Sequence, residues 1–171
     1  MSSQKRIAVL GSTGSIGVQT LDIIAEYPER FRATVLVAGR NVERLIQQAR
    51  MHKPVLAVIA DETFYPTLRD ALAPLGIATA AGSQAVADAM ERDDVDTVVT
   101  ATVGYSGLAP TLRAIDAGKQ IALANKETMV VAGELVTNRL ERSASRIIPV
   151  DSEHSAIYQC LVGEDPATVK R

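Results

Sequence analysis

Short apolar runs alternate along this chain with longer stretches whose apolar positions recur at helical spacing. Lys5 to Leu10 (KRIAVL) reads as a buried strand, and the segment after it carries Leu21, Ile23 and Ile24 as a helix would. Arg32 to Gly39 (RATVLVAG) is predicted as the second strand. Asn41 is placed to cap a helix over Val42 to Met51, with Leu45, Ile46 and Ala49 on one face. Pro54 to Ala60 is predicted as the third strand, with a helix between Thr63 and Ala73 and a weak short strand in GIATAAG. Ser83 is the expected cap of a helix over Gln84 to Arg92. Val95 to Thr100 is a strong strand, and TLRAIDAGK is a helix closing on Gly118. Gln120 to Ala124 is predicted as a further strand. A long helix then starts at Glu127, and a last strand lies in SRIIPVDSE, where Pro149 pushes Ile148 toward extended geometry.

Strands separated by helical segments imply parallel crossovers, a doubly wound α/β sheet and helices on both of its faces. In such a sheet ligands sit beyond the carboxyl ends of the strands. The polar clusters of this chain all fall at those ends.

The first is the turn between the opening strand and helix, GSTGSIG, with Gly11, Gly14 and Gly17. Gly11 can turn sharply off the strand without a Cβ penalty. Gly14 lets backbone approach a pyrophosphate, and Gly17 lets the helix pack tightly on the sheet. The unpaired first-turn N–H groups and the helix dipole favour an anion there, and Thr13 and Ser15 add hydroxyls. A glycine-rich turn flanked in this way points to a dinucleotide rather than to a purely structural bend. The spacing is G-x-x-G-x-x-G, so the turn alone does not name the cofactor. The end of the second strand does. It offers Gly39, Arg40 and Asn41 with no acid before Glu43, and a guanidinium there suits a 2′-phosphate, which favours NADPH over NADH.

Two later clusters carry further chemistry. In LANKE, Asn125 and Glu127 read as helix cap and first-turn acid, whereas Lys126 opposes the dipole and so suggests an anionic or oxygen-rich ligand. In PVDSEHSAIYQCL, an extended backbone would point Asp151 and Glu153 to one face, where they could ligate a hard divalent cation. The same residues also read as a helix start, with Asp151 or Ser152 as cap and Glu153 in the first turn, and the residues alone leave both readings open. His154 is read as hydrogen-bonded rather than as a ligand, His52 as a helix-end residue without chemistry, and Cys160 as core. The glycine loop TATVGYSG serves equally as a turn or as a nicotinamide neighbour.

Composition narrows the class. At 171 residues, 47% hydrophobic and 22% charged, the chain is of ordinary globular make-up for one domain with a real core. A net charge of −2 suggests neither nucleic acid nor an anionic membrane as partner. One cysteine excludes an internal disulfide and a cysteine metal cage. No leader precedes the first strand and no apolar run approaches the ~20 residues of a membrane span, so the expected location is cytoplasmic.

Together GSTGSIG, VAGRN, ALANKE and PVDSEHSAIYQCL closely resemble the 1-deoxy-D-xylulose 5-phosphate reductoisomerase family, from Arg6 to about Leu161. The resemblance implies a Rossmann-like NADPH-binding domain over residues 1–150, and over 151–171 the start of a metal- and substrate-binding domain. It implies conversion of 1-deoxy-D-xylulose 5-phosphate, a phosphorylated sugar, to 2-C-methyl-D-erythritol 4-phosphate with NADPH and Mg²⁺ or Mn²⁺. Thr13, Gly14, Ser15 and Ile16 would hold the pyrophosphate, and Gly39, Arg40 and Asn41 the adenosine phosphate end. Asn125 and Glu127 would be further cofactor contacts, Lys126 and Ser152 would touch substrate, and Asp151 and Glu153 would be metal ligands. The family often has lysine where Arg40 stands, which keeps the charge. Family members are homodimers that continue well beyond the length at which this chain stops. The resemblance places a third metal carboxylate, the substrate-phosphate pocket and a lid in that region. The chain is therefore expected to be the cofactor-binding part of such an enzyme, binding NADPH weakly and inactive alone. Two alternatives are another NADPH-dependent oxidoreductase, which leaves Asp151 and Glu153 beside Ser152 unexplained, and a nucleotide-binding module without catalysis.

Overall fold

Six buried residues in a row, Ala33 to Ala38, identify the centre of the sheet, because only a strand covered on both faces is apolar without alternation. The computed structural model describes residues 4–102 and 104–165. Seven parallel strands form one sheet: β1 (Lys5–Leu10), β2 (Phe31–Ala38), β3 (Leu56–Ile59), β4 (Ala78–Ala81), β5 (Thr97–Thr100), β6 (Gln120–Leu123) and β7 (Arg146–Pro149). They lie in the order β4-β3-β2-β1-β5-β6-β7. The chain winds outward from β1 to β4, returns to lay β5 on the other side of β1, and winds outward again to β7. The order thus reverses between β1 and β5, which makes the carboxyl end of that pair the expected ligand crevice.

The helices divide by half. α1 (Ser15–Glu26), α2 (Val42–His52) and α3 (Tyr65–Leu72) bury Leu21, Ile24, Leu45, Ala49, Leu68 and Leu72 against one face of the sheet, with Ile7, Val9 and Leu36. α4 (Gly82–Ala89), α5 (Leu108–Asp116) and α6 (Glu127–Leu140) bury Val86, Ala114, Ile115 and Val136 against the other, with Ala8, Leu10 and Val35. Alternate residues of β1 therefore serve opposite cores, as strand geometry requires. A bulge in the β1–β2 pairing skips Thr34, whose buried hydroxyl donates to the Ile7 carbonyl at 3.2 Å. At the amino edge of the sheet, Asp96 accepts from the Arg6 backbone N–H at 2.9 Å and from the Arg6 side chain at 2.6 and 3.0 Å, joining β1 to the lead-in of β5.

Several boundaries differ from expectation. The third strand is four residues long, and the helix expected from Thr63 opens with a 3-10 turn over Glu62–Phe64, capped by Asp61. α4 starts at Gly82 rather than after Ser83. Gly82 takes φ +92° there, and a Cβ would stand 2.3 Å from Glu62 Oε1, so the turn is made by glycine and no side chain caps the helix. α6 is broken at Ala132 (φ −138°, ψ 28°), next to Gly133, which is a poor helix former. α7 (Ser152–Leu161) has no buried residue, so Cys160 is exposed and the expectation of a core cysteine is wrong: nothing among the described residues covers that side of the helix. Ile23 is likewise exposed while Leu21 and Ile24 are buried. The last six positions of the expected second domain, and Val103 in the glycine loop after β5, lie outside the described residues.

Leu36, fully buried at the sheet centre, is the most exacting test of this packing. Leu36→Ala should lower unfolding stability by about 2–5 kcal/mol, read as a reduced urea midpoint at constant slope, whereas Ile23→Ala should change it little.

Candidate cofactor and metal site

The turn after β1 is held by backbone. Gly11 and Ser12 donate their N–H groups to the Val37 carbonyl at 2.9 and 2.8 Å, and Gly14 N–H donates back to the Gly11 carbonyl at 3.1 Å. Gly11 has φ +87°, and a Cβ on it would stand 2.7 Å from the Ala101 carbonyl oxygen. Gly17 is tighter still, since a Cβ there would come within 2.3 Å of the Gly11 oxygen and 2.6 Å of Ser12 Cα. Gly14 is less constrained by space. It is exposed and forms the N-cap of α1, with no side chain capping the helix and no acid in its first turn. The first-turn N–H groups, beside half-buried Thr13 and Ile16 and exposed Ser15, thus have no capping side-chain acceptor among the described residues. This backbone cradle and uncapped helix suit the pyrophosphate of a dinucleotide.

Gly39, Arg40 and Asn41 follow β2 at the same edge. Asn41 caps α2, its Oδ1 accepting from Arg44 N–H at 3.1 Å. The Arg40 side chain is 81% exposed and pairs with Asp61, its Nε lying 3.1 Å from Oδ2. Asp61, which the sequence did not single out, follows β3, and its other oxygen accepts from the Thr63 hydroxyl and N–H at 2.6 and 3.1 Å. The Thr63 hydrogen bonds, and then the charge of Arg40, hold the Asp61 carboxyl below its ordinary range. The terminal nitrogens of Arg40 stay available to an anion, in the fork geometry that suits phosphate.

The downstream clusters meet because β6 and β7 are neighbours in register, Leu123 beside Pro149, with Val150 N–H donating to the Leu123 carbonyl at 2.9 Å. Asn125 is buried and fully engaged. Its Oδ1 accepts from Thr128 N–H at 3.2 Å, and its Nδ2 donates to the Gly104 carbonyl at 2.9 Å, tying the loop after β5 to α6. Lys126 and Glu127 are exposed at the start of α6. Asp151 caps α7, its Oδ1 accepting from His154 N–H at 3.0 Å and lying 2.7 Å from His154 Nδ1. Ser152 donates to Glu153 Oε2 at 3.0 Å. Of the two readings left open by the sequence, the helix start is the one adopted: Glu153 lies in the first turn of α7 rather than on an extended strand. A helix start does not remove the carboxylates from use. The His154 N–H bond holds Asp151 below the usual carboxylate range, and Glu153 is lowered by its own N–H and the Ser152 hydroxyl, with Lys126 acting on both. Lys126, Asp151 and His154 line a groove of about 580 Å³ whose remaining wall is apolar, with Met129 and Ile157 among its residues.

Ionised carboxylates are the donors a hard divalent cation selects, so the pair suits Mg²⁺ or Mn²⁺. It supplies part of a coordination shell, since no cluster of three or more potential ligands occurs among the described residues. The glycine turn follows β1 and the acids follow β7, three strands away, which at ~4.8 Å per strand is about 14 Å along one carboxyl edge. Sequence reasoning missed Gln48, whose buried amide donates to the Ser12 carbonyl in the glycine turn at 2.8 Å. It sits among the apolar positions of α2 and left no local signal.

The family model of 1-deoxy-D-xylulose 5-phosphate reductoisomerase matches residues 7–133. The enzyme of that name from Porphyromonas gingivalis is 55% identical over 161 residues, which are 94% of this chain and 42% of that relative. The Zymomonas mobilis enzyme solved in complex with NADPH superposes with a TM-score of 0.89 at 42% identity, over 92% of this chain and 41% of that one. A reductoisomerase solved with NADPH, fosmidomycin and magnesium superposes at 0.87 with 40% identity, over 91% of this chain and 38% of that one. The chain thus spans about two fifths of the length of the relatives it matches.

The cradle makes a direct demand on Gly17. Gly17→Val should abolish dinucleotide binding, measured by quenching or enhancement of reduced-nicotinamide fluorescence, because β1 and α1 must separate to admit the side chain. The cap at α7 gives a pH signature. Both carboxyl groups are lowered in the folded chain, so their contribution is present above the unfolded pKa and is lost as pH falls through the folded values. Hydrogen exchange at the His154 amide should accelerate relative to the α2 amides on acidification below the usual carboxylate range, and Asp151→Asn should remove most of that dependence.

Proposed function

The chain belongs to the 1-deoxy-D-xylulose 5-phosphate reductoisomerase family, and from that premise we propose that it is the NADPH-binding part of an enzyme that converts 1-deoxy-D-xylulose 5-phosphate to 2-C-methyl-D-erythritol 4-phosphate. The observation that carries this reading is the shared carboxyl edge, where an uncapped glycine turn, an exposed arginine fork and a lysine facing two ionised acids stand in one row. Residues 1–150 form the cofactor domain, and residues 151–171 open the metal and substrate domain. The catalytic unit is a polypeptide of the length its relatives have, acting as a homodimer. Among the described residues no helix is long and apolar enough to cross a membrane, and we place the reaction in the cytoplasm.

In this proposal Thr13, Gly14, Ser15 and Ile16 hold the pyrophosphate through backbone N–H groups and hydroxyls, which a dinucleotide needs because its charge lies there. Gly39, Arg40 and Asn41 take the 2′-phosphate, with Asp61 keeping the guanidinium in place. Asn125 fixes the loop after β5 against α6, and Glu127 borders the cofactor. Asp151 and Glu153 hold the cation, while Lys126 and Ser152 orient the phosphorylated sugar. When bound, the divalent cation supplies Lewis acidity for a carbon-skeleton rearrangement and NADPH supplies the hydride that reduces the resulting aldehyde. The part of this chain is to bring both to the same crevice and to offer Lys126 as a fixed positive charge against the oxygens of the substrate.

Two measurements test the proposal. Arg40→Leu should weaken NADPH binding roughly tenfold to a hundredfold and leave NADH binding unchanged, as expected for loss of charge-assisted bonds to one phosphate. Equal losses for both cofactors would remove Arg40 from phosphate recognition. Replacing Asp151 and Glu153 together by Asn and Gln should abolish Mn²⁺ binding followed by electron paramagnetic resonance, and unchanged affinity would end the metal assignment.

A further inference from the structure

Gln48 occupies a position where an aliphatic side chain would be the cheaper choice. It lies on the core-facing side of α2 with Leu45, Ile46 and Ala49, and it is 9% exposed. Its Nε2 donates to the Ser12 carbonyl at 2.8 Å, 36 residues away in the chain, while its Oε1 has no hydrogen-bond partner. The Ser12 hydroxyl, also buried, has none either. Leaving such atoms unpaired is unfavourable, so the one bond that Gln48 makes is the reason for an amide here.

That bond fixes an orientation. In a trans peptide the carbonyl of one residue and the N–H of the next point in opposite directions. A Ser12 carbonyl drawn down toward α2 sends the Thr13 N–H outward, to the side where Gly14 and Ser15 are exposed. The Thr13 N–H has no acceptor among the described residues. The neighbouring N–H groups of Ser12 and Gly14 are held by the Val37 and Gly11 carbonyls, so among the described residues the Gln48 bond is the one that engages the Ser12–Thr13 peptide itself. We propose that Gln48 is a positioning residue for cofactor binding, locking the Ser12–Thr13 peptide so that the Thr13 N–H is aimed at the pyrophosphate. This rests on the dinucleotide reading of the glycine turn given above.

The test compares two ligands on the 171-residue chain. Gln48→Met keeps the length and volume of the side chain and removes the donor. NADPH affinity should fall roughly tenfold, the worth of one hydrogen bond. Affinity for adenosine 2′-monophosphate, which has the 2′-phosphate but no pyrophosphate, should stay the same. NADPH affinity that is unchanged, or that falls in step with adenosine 2′-monophosphate, would overturn the assignment, since a merely structural glutamine would weaken both together. Failure of the unaltered chain to bind NADPH would strike the dinucleotide reading itself and this inference with it. If Gln48→Met does not fold, ¹⁵N–¹H spectra of the unaltered chain decide. NADPH should displace the Thr13 amide resonance and adenosine 2′-monophosphate should not, and a Thr13 amide unmoved by NADPH refutes the role.

Discussion

The contact on which the rest of the structure depends is the approach of α1 to the end of β1, where Gly17 lies against the backbone of Gly11 and Ser12 at a separation that no Cβ could share. That closeness seats α1 on the sheet with Leu21 and Ile24 in the core. It also brings the amino end of the helix to the carboxyl edge with its first-turn N–H groups unclaimed by any side chain. One steric fact therefore sets both the packing of the first half of the molecule and the electrostatic character of the crevice. The dipole of α1 and the charge of Arg40 then act on the same side of the sheet.

At the far end of that edge the logic is one of charge. Asp151 and Glu153 are kept ionised by hydrogen bonds from the amino end of α7 and by Lys126 from the neighbouring loop. The helix start is the arrangement adopted, and it leaves both acids ionised at the carboxyl edge. The family's relatives are more than twice as long as this chain, and the exposed apolar residues of α6 and α7, among them Val130 at 84% and Ile157 at 60%, lie on this side of the molecule.

What was legible in the sequence was what local physics dictates. The strands at the sheet centre announce themselves as unbroken apolar runs, Asn41 caps the helix that its side chain predicts, and Gly118 ends α5 in a left-handed turn. The glycine turn was readable because its flanks were. What escaped depended on partners distant in sequence. Gln48 and Asp61 matter through Ser12 and Arg40, which lie 36 and 21 positions away, and neither residue type is unusual on a helix face or after a strand. Cys160 was misplaced because helical periodicity tells which residues share a face, and not whether anything covers that face. The start of α4 was missed because a glycine with φ +92° took the role expected of the Ser83 hydroxyl.

The clasp between Arg6 and Asp96 sits at the opposite rim of the sheet from every residue discussed as a ligand contact. This clasp is thus about the length of a strand away from the carboxyl edge, unlike the Gly17 contact, which lies at that edge. Variation around Arg6 and Asp96 would be felt as a change in heat tolerance, while the chemistry at the other rim kept its alignment.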